Sequence, residues 1–67
     1  MKLDKQYLDT TGNPCAQVLK IEEGYAVDVI WHPELYIFYT REEARNYAQA
    51  MTNRRNRKLN LSERVAP

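Results

Sequence analysis

The tetrapeptide Thr40-Arg41-Glu42-Glu43 constrains the fold more than any other stretch of this chain. A threonine followed three residues later by a glutamate is a capping box. The Thr40 hydroxyl can accept from the Glu43 amide while the Glu43 carboxylate reaches back to Thr40, and a helix starts at that point. Glu42 and Glu43 also set negative charge at the positive end of the helix dipole. Ala44, Tyr47, Ala48 and Met51 then recur at i, i+3, i+4 and i+7, the stripe that packs on a neighbouring layer. The alanines allow that layer to come close.

The residues upstream supply the layer as strands. "CAQVLKIE", Cys15 to Glu22, is aliphatic and β-branched with no helix start, and "EEG" ending at Gly24 is a hairpin turn, since glycine reaches positive φ without steric cost. "YAVDVIWH" alternates, with Tyr25, Val27, Val29 and Trp31 on one face and Ala26, Asp28, Ile30 and His32 on the other. Pro33 breaks the ladder. "LYIFYT", Leu35 to Thr40, is a third strand with two apolar faces. The expected fold class is therefore α+β, a three-stranded antiparallel meander packed against one C-terminal helix, in the order β-β-β-α.

Around this unit, residues 1–14 read as an irregular lead-in closed by the turn-forming "DTTGNP", residues 15–58 as the domain, and residues 59–67 as a tail. One helix covers one face of a sheet. The other face calls for Tyr7 and Leu8 of the lead-in, Leu59, Leu61 and Val65 of the tail, a second copy, or another macromolecule. Leu35, Ile37 and Tyr39 are the candidate partner or dimer surface.

A chain of 67 residues is near the lower limit at which a hydrophobic core suffices alone. Its 43% apolar and 28% charged residues are those of a folded domain. No apolar run approaches the roughly 18 residues needed to span a bilayer, and "MKLDKQYLD" has no apolar core of a secretory signal. The default expectation is a cytoplasmic protein. Cys15 and His32 are the only cysteine and histidine, so one chain builds neither a disulfide nor a cysteine and histidine metal cluster.

Catalytic constellations are missing from the pattern. Cys15 and His32 lie on different strands with no nucleophile elbow and no third member. Glu22 and Glu23 are adjacent on a strand end and point to opposite faces, which is wrong for a carboxylate dyad. With Gly12 and Gly24 the only glycines, there is no phosphate loop and no cofactor fingerprint. A non-enzyme without cofactor or metal is expected.

Charge is the positive signal. Residues 1–39 carry three Lys/Arg against six Asp/Glu, a net −3, whereas residues 40–67 carry seven against three, a net +4. The excess concentrates in Arg54, Arg55, Arg57 and Lys58, with Arg45 as an outlying cation and Asn53 and Asn56 interleaved as further donors. Arginines that reach one phosphodiester backbone offer bidentate contacts, and asparagines contact phosphates or base edges. The plainer reading is a solvated helix end, because cations suit the negative end of the dipole. An acidic protein partner is a third. The aromatic set Tyr25, Trp31, Tyr36, Phe38 and Tyr39 reads as core in preference to a base-stacking platform.

The segment from Val18 to Met51, with Phe38, Thr40, Glu43 and Ala44 at the strand-to-helix junction, resembles small prokaryotic modules of three strands and a helix. These include the AP2-like arm-binding domains of phage integrases and the cell-division activator CedA. The resemblance implies contact with DNA or with the transcription machinery. In the arm-binding domains the sheet itself reads DNA, whereas this sheet carries Asp28 and Glu22, which directs attention to the helix end instead.

Three functions are expected in order. The first is a small regulatory protein contacting nucleic acid through the basic helix end. The second is a phage or mobile-element protein that inhibits a host protein or a CRISPR effector. The third is a homodimeric structural or adaptor protein pairing through Leu35, Ile37 and Tyr39.

Overall fold

The computed structural model describes residues 1–65, with side chains placed through Asn60. Four strands precede one helix: β1 Lys2–Leu8, β2 Pro14–Ile21, β3 Gly24–Val29, β4 Tyr36–Phe38 and α1 Arg41–Val65. The sheet is antiparallel in the order β1-β2-β3-β4, so every strand pairs with its neighbour in sequence. The architecture is α+β with a C-terminal helix, as the sequence implies, but with four strands.

The additional strand replaces the expected irregular lead-in. Its lysines, Lys2 and Lys5, argue against a core segment and are what a solvated edge strand carries to discourage further pairing. The expected tail differs too. Residues 59–65 continue α1, because no glycine or proline interrupts the chain from Arg41 to Val65 and most residues in between form helices readily. The Leu61 and Val65 side chains, considered above as a possible cover for the sheet, lie outside the described side chains.

The first half of the capping box forms as read, the Glu43 amide donating to Thr40 Oγ1 (3.2 Å), whereas the Glu43 carboxylate accepts at Oε1 from the Thr40 hydroxyl (2.9 Å) in place of the Thr40 amide. The Glu22-Glu23 turn joins β2 to β3 with Ile21 opposite Gly24. Gly24 has φ +153°, and a Cβ there would collide with the Phe38 carbonyl as β4 passes. Glycine is required by conformation and by space.

Two bulges aim side chains at the helix. Pairing slips between Leu3 and Lys5, which leaves Asp4 as the extra residue of β1, and again between Tyr7 and Leu8, which leaves Cys15 as the extra residue of β2. Asp4 turns inward and accepts from Arg45 Nε (2.9 Å) and Arg41 Nε (3.0 Å). Cys15 Sγ lies 3.2 Å from Thr52 Oγ1. The Thr52 hydroxyl proton is directed to the Ala48 carbonyl (2.9 Å), so the thiol is the donor to Thr52.

The core lies between α1 and one face of the sheet: Tyr7, Cys15, Ala16, Val18, Val27 and Val29 meet Ala44, Ala48 and Met51. Its largest fully buried side chains are valines and Cys15, a thin core. Tyr36 and Phe38 stack on Tyr47, with ring centroids 5.0 and 5.4 Å away. This fixes which parity of the last strand faces inward. On the opposite face, register places Leu3, Leu19, Ala26 and Ile37 in one row across all four strands. Leu3 and Ile37, at the two edges, are exposed there, whereas Leu19 is half-buried and Ala26 buried; Tyr7 is buried beneath the helix instead. Among the described residues no helix is long and apolar enough to cross a membrane.

Candidate functional site

A helix of 25 residues rises about 37 Å, whereas the 8 residues of β2 extend about 26 Å. The helix therefore outruns the sheet it covers. Successive residues turn about 100°, so Ala44, Ala48, Met51 and Arg55 follow one face. Arg55 is the first position of that face to lie past the apolar stripe. It meets the β3–β4 turn, where the His32 amide donates to the Val29 carbonyl (2.8 Å) and the chain reverses.

The result is a cleft of about 290 Å³ lined by Trp31, His32, Met51, Arg54, Arg55 and Lys58. The Arg55 guanidinium carbon stands 6.0 Å from the centroid of the Trp31 ring, within the range of a cation–π contact. Trp31 is 42% exposed. The turn is braced from behind: His32 meets Tyr36 edge-on at 5.4 Å, and Tyr36 rests on Tyr47 of the helix. The aromatic wall is thus held by the core.

The residues singled out from sequence separate into three groups. Arg54, Arg55 and Lys58 come together in the cleft. Arg57 is exposed about 160° around the helix from Arg55 and faces elsewhere. Arg45, Asn53 and Asn56 have local partners. Arg45 is bound to Asp4, and its carbonyl accepts from the Tyr7 hydroxyl (3.3 Å). Asn53 Oδ1 accepts from Gln49 Nε2 (2.9 Å). Asn56 Oδ1 accepts from the Thr10 amide (2.9 Å), tying the β1–β2 turn to the helix.

That turn is itself built on a buried carboxylate. Asp9 Oδ1 accepts from the Thr11 amide (2.9 Å), the Thr11 hydroxyl (2.6 Å) and the Asn13 amide (3.1 Å). The Thr11 hydroxyl above all, with the two amides, holds the Asp9 carboxyl below its ordinary range, and the field of Arg55 contributes. Asp4 is lowered likewise, foremost by its hydrogen bond from Arg45 and further by Arg41. Among the described residues neither Arg54, Arg55, Arg57 nor Lys58 forms an ion pair.

Trp31 and His32 are the site residues that sequence reasoning placed elsewhere, on opposite faces at the end of a strand that in fact stops at Val29, with Trp31 counted among the core aromatics. The candidate partner surface is exposed throughout, with Leu35 at 45%, Ile37 at 55% and Tyr39 at 87%. Compared with protein-family models, characterised proteins and solved structures, the chain matches none.

Proposed function

We propose that the protein is a small non-enzymatic regulator that contacts nucleic acid through the cleft between the β3–β4 turn and the far half of α1. The observation that carries this reading is the convergence of Arg54, Arg55 and Lys58 on Trp31 and His32. Three cations around one recess suit a phosphodiester backbone, and an accessible indole suits a base. Their location supports selectivity within the molecule: Arg41 and Arg45 are committed to Asp4, while the cleft cations sit at the opposite end of the helical layer.

The test is fluorescence anisotropy of labelled DNA and RNA at low and moderate salt, beside a variant with Arg54, Arg55 and Lys58 changed to alanine. All three are exposed, so the variant retains the native circular dichroism spectrum. Salt-sensitive binding that disappears in the variant supports the reading, because each neutralised phosphate releases counterions. Equal binding by both proteins refutes it.

A second reading, docking of a host protein or a second copy on the face away from the helix, is favoured by the exposed Leu3 and Ile37 at the two ends of its apolar row. A surface of that kind suits an apolar partner and offers phosphates little.

A further inference from the structure

The shape and chemistry of the cleft point to a more specific ligand. Arg54 and Lys58 are one helical turn apart and about 5–6 Å from each other at Cβ, along one rim. Trp31 forms the facing wall, with Arg55 above its ring. A volume of about 290 Å³ is a recess, not a ridge. Reading a duplex calls for an element that protrudes into a groove about 12 Å wide, with its side chains reaching base edges. Here Trp31 lines a recess between a turn and a helix, and stacking on its accessible face calls for a base freed from its neighbours.

The gap between Trp31 and Arg55 decides how such a base would sit. Flat groups in contact lie about 3.5–4 Å apart, so a base between two planes needs roughly 7 Å. The observed 6.0 Å from the guanidinium carbon to the ring centroid is an upper limit to the gap above the ring, at least about one ångström short of that. Arg55 is an exposed, flexible side chain, and a rotamer change supplies the difference. Indole and guanidinium planes are the two surfaces on which unstacked bases most readily stack.

We infer that the cleft is a clamp for one unpaired nucleotide. The base enters between Trp31 and Arg55, the neighbouring phosphates rest on Arg54 and Lys58, and His32 stands at the base edge. The ligand class is single-stranded DNA or RNA, bound in preference to duplex. This inference rests on the nucleic-acid reading above and goes beyond it in naming strandedness and mode.

Trp31 is the only tryptophan, so its emission reports on the clamp directly. Labelled oligothymidylate, oligouridylate and a duplex of equal length are titrated with the protein, anisotropy and tryptophan emission being read in the same cell. Expected are quenching with single strands at the same midpoint as the anisotropy rise, weaker binding of the duplex, and a log–log salt slope of about −1.4 for two phosphate contacts to a single strand. Trp31→Ala should weaken single-strand binding about tenfold, within the range of one lost base stack, and change duplex binding less than about twofold. Trp31→Phe should recover much of the loss.

Anisotropy that rises without quenching, or single-strand affinity unchanged in Trp31→Ala, or tighter binding of duplex overturns the clamp and leaves the charge-based reading standing. No binding of any nucleic acid at low salt overturns both.

Discussion

Replacing Val18 by alanine and, separately, Ile37 by alanine measures which face of the sheet is inside. Val18 has no accessible surface and sits in the sheet beneath the helix. It loses two carbons, about 1.6 kcal/mol of transfer energy. A residual void of about 40 Å³ adds roughly 1 kcal/mol at about 24 cal/mol per Å³, so the expected cost is near 2.5 kcal/mol. Ile37 loses three carbons, but at 55% exposure less than half of their transfer energy is at stake, about 1 kcal/mol, and an open face encloses no void. For a domain of this size, total stability is about 3–10 kcal/mol. At about 4–8 °C per kcal/mol, Val18→Ala should lower Tm by roughly 10–20 °C and Ile37→Ala by about 4–8 °C. Denaturant titration followed by far-UV circular dichroism at two protein concentrations is the assay. An Ile37→Ala cost equal to that of Val18→Ala, with a midpoint that moves with concentration, would refute the assignment of the open face and bring the dimer reading forward.

Gly24→Ala should be the most damaging substitution in the sheet, since it combines a strained φ of +153° with a collision at the Phe38 carbonyl; at about 1–3 kcal/mol for each effect, the variant is expected to be largely unfolded by circular dichroism at ambient temperature. Asp4 and Asp9 have carboxyl groups held below their ordinary range, so their contribution is complete above the unfolded value of about 3.9 and is lost as pH falls through the folded values. Thermal melts should therefore decline from about pH 4 downward, and Asp4→Asn with Asp9→Asn should flatten that decline. Arg45→Ala, which removes a cation already bound to Asp4, should lower Tm while leaving the salt slope of nucleic-acid binding unchanged. Thr52→Val deletes the hydroxyl that accepts from Cys15 and should cost about 1–3 kcal/mol in denaturant titration, the thiol being left without a partner.

The helix was legible because its start depends on two side chains three residues apart, and Thr40 with Glu43 makes two contacts. The β2–β3 hairpin followed from local alternation. β1 was not legible, since an edge strand is stabilised by one neighbour's backbone and its sequence, KLDKQYL, records mainly the need to stay soluble. The bulges at Asp4 and Cys15 were equally hidden, because a slip of register leaves no mark on composition. The cleft was half readable. The basic run stands out, but its pairing with Trp31 needs a length match. Five strand steps from Gly24 to Val29 span about 17 Å, Trp31 lies just past them in the turn, and fourteen helical steps from Arg41 to Arg55 span about 21 Å. A helix that doubles back from β4 thus delivers Arg55 to Trp31 by arithmetic that uses only residue counts, and this signal was available.

The pairing of each strand with its sequence neighbour also bears on how the chain reaches this state. Hairpins close short loops, and little entropy is lost before the first contacts form. The β2–β3 ribbon, with its two-residue turn, can appear first, and β4 with the start of α1 extends it from one side. The contacts between Asp4 and Arg41 or Arg45 span 37 and 41 residues, so they belong to a late docking step. Mutations in β1 should then speed unfolding while leaving the refolding rate nearly unchanged, and the edge strand becomes the latch of the folding reaction.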